Sequence, residues 1–328
     1  MAAALSMTTV LFADHDYPNI ELERALFNEA GVDVVSAQCK TEDEVIAHGG
    51  GCCAILLQYA PITDRVLGAL PDVGIVSRIG AGYDTIDAAA CEKRGVWLAN
   101  SPDYGVGEVA THALALALAL IRNIVAYHRD IGAGKWDFLS SGPLRRPGEL
   151  TLGVVGLGRI GKRMAHVSRN VFKQIIAYDP YLIDGDFPPY VERMRSLADL
   201  AGESDIVSLH TPLTAETRGM IDAGFFAAAK RGMTLVNTSR GAVVDLGDLV
   251  RALDTGIVAG AALDVLPVEP VPRDSPLISD PRVILTPHAA FFSIEAEKEL
   301  RHKAVQNIVS WLRRGRPDYP VTTGTRVP

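Results

Sequence analysis

The sequence predicts an α/β protein of two doubly wound parallel-sheet domains with a cleft between them. Three observations carry that reading: two successive series of short apolar runs separated by helix-length stretches, a glycine turn opening the second series, and an apolar-periodic stretch after that series has ended. With 328 residues, 48% of them hydrophobic, the chain is long enough for two ordinary domains, each with its own core.

In the first series, residues 9–12, 32–36, 54–57, 74–77 and 96–98 read as buried parallel strands, alternating with helical stretches such as 21–30. Residues 108–121 alternate Ala and Leu as a strand would. Their length, their helix-forming residues, Glu108 at one end and Arg122 at the other favour a buried helix that crosses between domains. The second series begins at Thr151 and continues through 175–178, 206–209, 234–237, 260–263 and 283–285. The last periodic stretch, 295–312, follows it and is expected to return to the first domain. The expected division is therefore 1–107 plus 293–328 for one domain and 108–292 for the other.

Gly156-Leu157-Gly158-Arg159-Ile160-Gly161 follows the short apolar strand 152–155 and opens a helix. Glycines at this spacing allow a tight turn, close approach of backbone to a pyrophosphate, and close packing of helix on sheet; the phosphates would sit on the helix N-terminus. Asp179 lies eighteen residues after the last glycine and closes the next strand. A carboxylate there accepts hydrogen bonds from an adenosine ribose and repels a 2′-phosphate, so the expected cofactor is NAD(H) rather than NADP(H).

Composition excludes several classes. The net charge of −7 shows no strong clustering, so neither nucleic acid nor an anionic membrane is indicated as a partner. Cys39, Cys52, Cys53 and Cys91 have neither zinc-type spacing nor the density of a disulfide scaffold. No metal site is expected, and a reducing cytoplasm fits the cysteine usage. The apolar run 113–121 is too short to span a bilayer, and the N-terminus lacks the basic-then-apolar order of a signal peptide.

Candidate chemistry stands just beyond strand C-terminal ends, where ligands of open α/β sheets bind. Strand 234–237 runs into Thr238-Ser239-Arg240-Gly241, strand 260–263 into Asp264 and on to Glu269-Pro270, and strand 283–285 into Thr286-Pro287-His288. Taken singly, Arg240 reads as a cap or salt-bridge residue and His288 as a satisfied buried histidine; their convergence beside a dinucleotide pocket favours catalysis. Reduction of a 2-keto acid needs a cation to grip the carboxylate and polarise the carbonyl, and an acid to protonate the forming alkoxide. Arg240 suits the first task and His288 the second, and Glu269, if hydrogen-bonded to His288, would fix its tautomer and favour the imidazolium.

These segments, with Ala-Leu-Asp-Val at 262–265, Arg78-Ile79-Gly80-Ala81-Gly82-Tyr83-Asp84 and His210-Thr211-Pro212-Leu213, resemble the D-isomer-specific 2-hydroxyacid dehydrogenases. The resemblance spans nearly the whole chain. It implies a flavodoxin-like substrate domain and a Rossmann NAD-binding domain, with His288 as the proton-transferring residue, Glu269 as its partner and Arg240 on the substrate. It also implies a substrate grip by Ile79, Gly80, Ala81 and Gly82. Besides the glycine loop, it puts Arg159, Ile160, Tyr178, Asp179, Pro180, His210, Thr211, Pro212, Thr217, Thr238, Ser239, Arg240, Asp264 and His288 around the cofactor, and it implies a homodimer formed through the nucleotide domains. Because grip and hydride donor would lie on different domains, domain closure is expected.

Within the family, Tyr178-Asp179-Pro180-Tyr181 and Thr-Pro-His-Ala-Ala-Phe-Phe-Ser at 286–293 look most like the branch of C-terminal binding proteins and their bacterial relatives, which puts Phe291 beside the substrate. Thr111 and Thr85 depart from the family pattern, where an acid and an asparagine are usual. No extension follows Pro328, which counts against a phosphoglycerate dehydrogenase with a regulatory domain. The expected activity is reduction of a 2-keto acid to the D-hydroxy acid. Two alternatives stay open: an NADH-sensing, corepressor-like binding protein, and oxidation of phosphite or formate, where Glu269 in place of the usual glutamine disfavours formate.

Overall fold

The computed structural model describes residues 8–328. The seven residues before Thr8, counted in the first domain from the sequence, lie outside the described residues. Packing divides the chain into two compact units: one runs to Tyr104 and resumes over Ser293–Pro328, and the other is Gly105–Phe292.

In the first unit, β1 (Thr8–Phe12), β2 (Val32–Ser36), β3 (Ala54–Leu57), β4 (Ile75–Arg78) and β5 (Trp97–Ala99) form a parallel sheet in the order β2-β1-β3-β4-β5, the flavodoxin-like arrangement. Its central strands are buried on both faces, which is why Ala54–Leu57 reads as a continuous apolar run without alternation. A short antiparallel strand, Pro320–Thr322, pairs with β5 at the edge. The helix Ile294–Arg314 belongs to this unit. It starts at Ser293, whose hydroxyl accepts from the Ala296 N–H, and stops at Gly315 with φ 74°. Ser77 Oγ donates to its Ala304 carbonyl at 2.8 Å, and Arg301 forks onto Glu23 at 2.7 and 2.8 Å, both side chains being buried.

The second unit holds β6 (Thr151–Val155), β7 (Gln174–Tyr178), β8 (Glu192–Arg193), β9 (Ile206–Leu209), β10 (Met233–Asn237), β11 (Val258–Leu263) and β12 (Val283–Leu285), all parallel, in the order β8-β7-β6-β9-β10-β11-β12. The strand order reverses beside β6, which makes its C-terminal end the switch point where ligands of such sheets bind. Cores lie on both faces. One gathers Val155, Val207, Leu235, Leu249 and Leu253, the other Leu152, Val154, Met164, Ala165 and Ala262. The crossover segment is the helix Val106–Ile121, and it joins the second core through Ala110, Ala113, Leu116, Ala117 and Leu120. That spacing is one helical face, so the tertiary partner resolves the Ala/Leu alternation in favour of a helix.

Strand ends differ from the expected ones by one residue at β1, β4, β5, β6, β7 and β10 and by two at β11. The strands β8 and Pro320–Thr322 were not expected, being two and three residues long, nor was the helix Ile124–Gly132, which buries none of its residues. After it come Trp136, Phe138 and Leu139, which are 90%, 79% and 62% exposed. Among the described residues no single helix is long and apolar enough to cross a membrane.

Candidate active site

The glycine loop joins β6 to the helix Arg159–Ser168. Gly156 has φ 85°, and a Cβ there would stand 2.8 Å from the His210 carbonyl oxygen and 2.9 Å from Thr211 Cγ2. At Gly161 a Cβ would meet the Gly156 carbonyl oxygen at 2.0 Å, so the helix reaches the turn only through glycine. Gly158 faces open space and, as the N-cap, offers the first-turn N–H groups at Arg159 and Ile160 no side chain, so these donors are available to an anion. At the end of β7, half-buried Asp179 is oriented by this loop: Oδ2 accepts from the Leu157 N–H at 2.9 Å and Oδ1 from the Tyr181 N–H at 3.0 Å. Tyr178 beside it is half-buried and Pro180 exposed.

Beyond β9, the His210 N–H donates to the Val155 carbonyl at 2.8 Å, and its Nε2 shares a hydrogen bond with Ser208 Oγ at 2.9 Å. His210 Nδ1 is closed from solvent without a protein partner, although the residue as a whole is only half-buried. Burial pushes the ring down to about 4, so it is neutral near pH 7. Thr211 Oγ1 and Thr238 Oγ1 are likewise buried without protein partners. Buried polar atoms are normally satisfied. A glycine cradle with available N–H groups, an acid on the next strand, and unpartnered hydroxyls at the ends of β9 and β10 together fit a bound dinucleotide. Two residues expected at the cofactor are committed elsewhere. The Thr217 hydroxyl donates to Pro212 O at 2.6 Å and accepts from the Thr214 N–H at 2.8 Å, shaping the turn that carries exposed Pro212. Asp264 is 2% exposed, and both of its oxygens are taken within the protein.

The strand-end groups come together beyond β10, β11 and β12. Asn237 builds the turn that presents Arg240. Its Oδ1 accepts from the Ser239 N–H and hydroxyl at 3.0 and 2.9 Å, and its Nδ2 donates to the Arg240 carbonyl at 3.0 Å. Arg240 Nη1 donates to Ser239 O at 2.8 Å. A Cβ on Gly241 would lie 1.9 Å from the Leu266 carbonyl carbon, so glycine lets this turn pass against the loop that carries Glu269. Glu269 Oε1 accepts from the Leu266 N–H at 2.9 Å, and Oε2 faces His288 Nδ1 at 2.7 Å. Burial raises the Glu269 carboxyl. Hydrogen bonds from His288 and Leu266, with the charges of His288 and Arg240, outweigh it and hold the group below the usual glutamate range.

His288 occupies a left-handed backbone, φ 53°, uncommon for a non-glycine residue. Asp264 holds it there. Its carbonyl accepts from the His288 N–H at 2.8 Å, its Oδ1 from Thr286 Oγ1 at 2.6 Å and the Ala289 N–H at 2.9 Å, and its Oδ2 from the Ala290 N–H at 2.9 Å. His112 of the crossover helix adds a bond to Thr286 Oγ1 at 3.2 Å. Phe291 stands edge-to-face with His288, ring centroids 6.4 Å apart. Asn237, His112 and Thr286 were not singled out from the sequence, because each acts on its neighbours through side-chain hydrogen bonds.

In the first unit, the loop beyond β4 places exposed Ala81 and half-buried Gly82 at a sheet end. Asn100 Nδ2 donates to Ala81 O at 2.6 Å, and the Ser101 N–H to Gly80 O at 2.9 Å. Ile79 does not reach this surface: it is 1% exposed and its N–H is spent on Leu57 O. Of the two departures from the family pattern, Thr111 turns its hydroxyl back onto the helix carbonyls of Gly107 and Glu108, and the Thr85 carbonyl accepts from the Ile62 N–H.

Comparison with known proteins places the chain in a family. Residues 114–290 match the profile described as D-isomer specific 2-hydroxyacid dehydrogenase, NAD binding domain. The chain is 38% identical over 274 residues to a glyoxylate reductase of Korarchaeum cryptofilum, covering 82% of each chain. It is 31% identical over 279 residues to a hydroxypyruvate reductase of Blautia hydrogenotrophica, covering 83% of this chain and 85% of that one. Among solved structures, a D-lactate dehydrogenase of Aquifex aeolicus complexed with NAD and lactic acid superposes with a TM-score of 0.84 at 26% identity, covering 96% of this chain and all of that one. The chain belongs to the D-isomer-specific 2-hydroxyacid dehydrogenase family of NAD-dependent oxidoreductases.

Proposed function

We propose that this enzyme reduces a small 2-keto acid to the D-hydroxy acid with NADH, His288 giving the proton. The observation that carries the reading is the 2.7 Å hydrogen bond between His288 Nδ1 and Glu269, which leaves Nε2 for a substrate oxygen. When bound, NADH supplies the hydride. Arg240 offers a planar fork of donors to the substrate carboxylate and polarises the carbonyl. As that oxygen gains charge, His288 Nε2 hands it a proton, while Glu269, kept anionic, holds the imidazolium in place.

The first unit takes the substrate role in this reading, with backbone N–H groups of the Gly80–Gly82 turn gripping the carboxylate. Preference for NADH over NADPH rests on Asp179. Kinship to the C-terminal binding protein branch rests on segments 178–181 and 286–293 and is supported by Phe291 standing against His288. The proposed compartment is the cytoplasm, on cysteine usage. The proposed quaternary state is a homodimer, in which a second copy covers exposed Trp136, Phe138 and Leu139.

The test is NADH consumption against glyoxylate, hydroxypyruvate, pyruvate, phenylpyruvate and a thioether-bearing keto acid, with formate and phosphite run in the oxidising direction. Glyoxylate and hydroxypyruvate come first because they name the activities of the relatives. His288→Ala and Arg240→Ala are each expected to abolish turnover and leave NADH binding intact. Unchanged turnover in either variant would sink the assignment, and activity on phosphite alone would replace it.

A further inference from the structure

Asp179 is one of two acids at this end of the crevice. Glu216 lies in the turn after β9, and Tyr181 follows Asp179 in the loop after β7. Since β7 and β9 flank β6 on either side, a bond between these loops spans the C-terminal end of β6, where the glycine loop begins. The Tyr181 hydroxyl makes that bond, donating to Glu216 Oε2. Both ends are anchored. The Tyr181 N–H is bound to Asp179 Oδ1 at 3.0 Å, and the turn of Glu216 is set by Thr217 Oγ1 on Pro212 O at 2.6 Å and by the Glu216 N–H on Thr214 Oγ1 at 3.3 Å. The Tyr181 ring is 77% exposed, so its place is not explained by core packing. Two cations further along, Arg193 in β8 and Arg195 just beyond it, are engaged by Asp184.

We infer that Tyr181 and Glu216 form a clasp over the adenosine half of the dinucleotide, and that Glu216 is a second acid, beside Asp179, that turns away a 2′-phosphate. The inference rests on the reading that Asp179 faces the ribose. An exposed hydrogen-bonded pair is a weak contact, so the clasp adjusts cofactor residence rather than creating the site. Asp179 and Glu216 together set a pair of negative charges at the ribose edge, where a 2′-phosphate would have to displace or neutralise both.

NADH and NADPH binding is to be titrated by fluorescence, with stopped-flow release, in the intact enzyme and in two surface variants. Tyr181→Phe keeps the ring and removes the bond; NADH release is expected to quicken by about two- to fivefold, with the KM for the keto acid unchanged. Glu216→Gln keeps an acceptor oxygen and removes the charge; NADPH is expected to bind about fivefold more tightly, with NADH changed by less than about twofold. NADH release at the wild-type rate in Tyr181→Phe, together with an unchanged NADPH-to-NADH ratio in Glu216→Gln, overturns the clasp while the NADH reading stands. Failure of the unmodified enzyme to bind NADH at all overturns both.

Discussion

The division of labour between Glu269 and His288 is set by solvation and hydrogen bonding. Glu269 is held below the usual glutamate range because the His288 and Leu266 donors outweigh its burial, and in the proposed reaction that anion stands at Nδ1 while Nε2 delivers the proton. Keto-acid reduction is therefore expected to decline toward alkaline pH and hydroxy-acid oxidation toward acid pH. Glu269→Gln retains a hydrogen-bond acceptor without the charge. Its kcat is expected to fall by about one to two orders of magnitude, and an unchanged kcat would deny Glu269 this role. His210 makes a second, separate pH statement. Its folded value, about 4, lies below the ordinary histidine value of 6.5, so its contribution to stability is complete above pH 6.5 and is lost as pH falls through 4. The loss amounts to at most about 3 kcal/mol. Urea unfolding at pH 7 and pH 4 checks it, since His210→Gln should lose less stability over that interval than the unmodified protein; parallel losses would mean that the ring does not gain a proton on unfolding.

At the scale of elements, the glycine turn is the joint of the proposed cofactor site. Gly156→Ala would force a Cβ at φ 85° within 2.8 Å of the His210 carbonyl, displacing the β9 loop that carries Thr211. A loss of about 1–3 kcal/mol in stability is expected, with weakened NADH binding read by fluorescence titration; an unchanged affinity would mean that the turn yields without moving the cradle. The same elements show what could be read from the chain. Buried parallel strands such as β3 and β9 announce themselves as continuous apolar runs, and the positions of Arg240, Glu269 and His288 beyond strand ends could be read because each comes after such a run. Residues that work sideways were not. His112 reaches Thr286 across 174 positions and Asp264 reaches Thr286 across 22, distances over which no local periodicity carries information. Asp264 itself was legible as a site residue, but as a cofactor contact rather than the support of the His288 turn, since spacing does not tell which way a carboxylate faces. The short edge strands escaped because runs of two or three residues carry no pattern of their own and borrow their conformation from a neighbour.

At the scale of the whole molecule, the exposed segment after Ile124–Gly132 is the surface most in need of a partner. Trp136, Phe138 and Leu139 are exposed, and the next residues of the chain, Ser140 and Ser141, line a second-unit groove of about 840 Å³ together with Leu120, Ile121, Val125, Leu144 and Ile284. A second copy burying these residues is expected to give a dimer by light scattering, and Trp136→Glu is expected to shift it toward monomer by an order of magnitude or more in Kd; a monomeric unmodified protein at micromolar concentration would refute the homodimer. The return of the last helix to the first unit has a consequence in time rather than space. Glu23 is bound to Arg301, 278 positions later, whereas the second unit has its last strand by Leu285. As the chain emerges from the ribosome, the half that holds the nucleotide can finish before the half that begins the sequence. Until the final helix is made, Glu23 on the helix Glu21–Glu29 lacks the arginine that makes its burial tolerable, so the first unit cannot close around it.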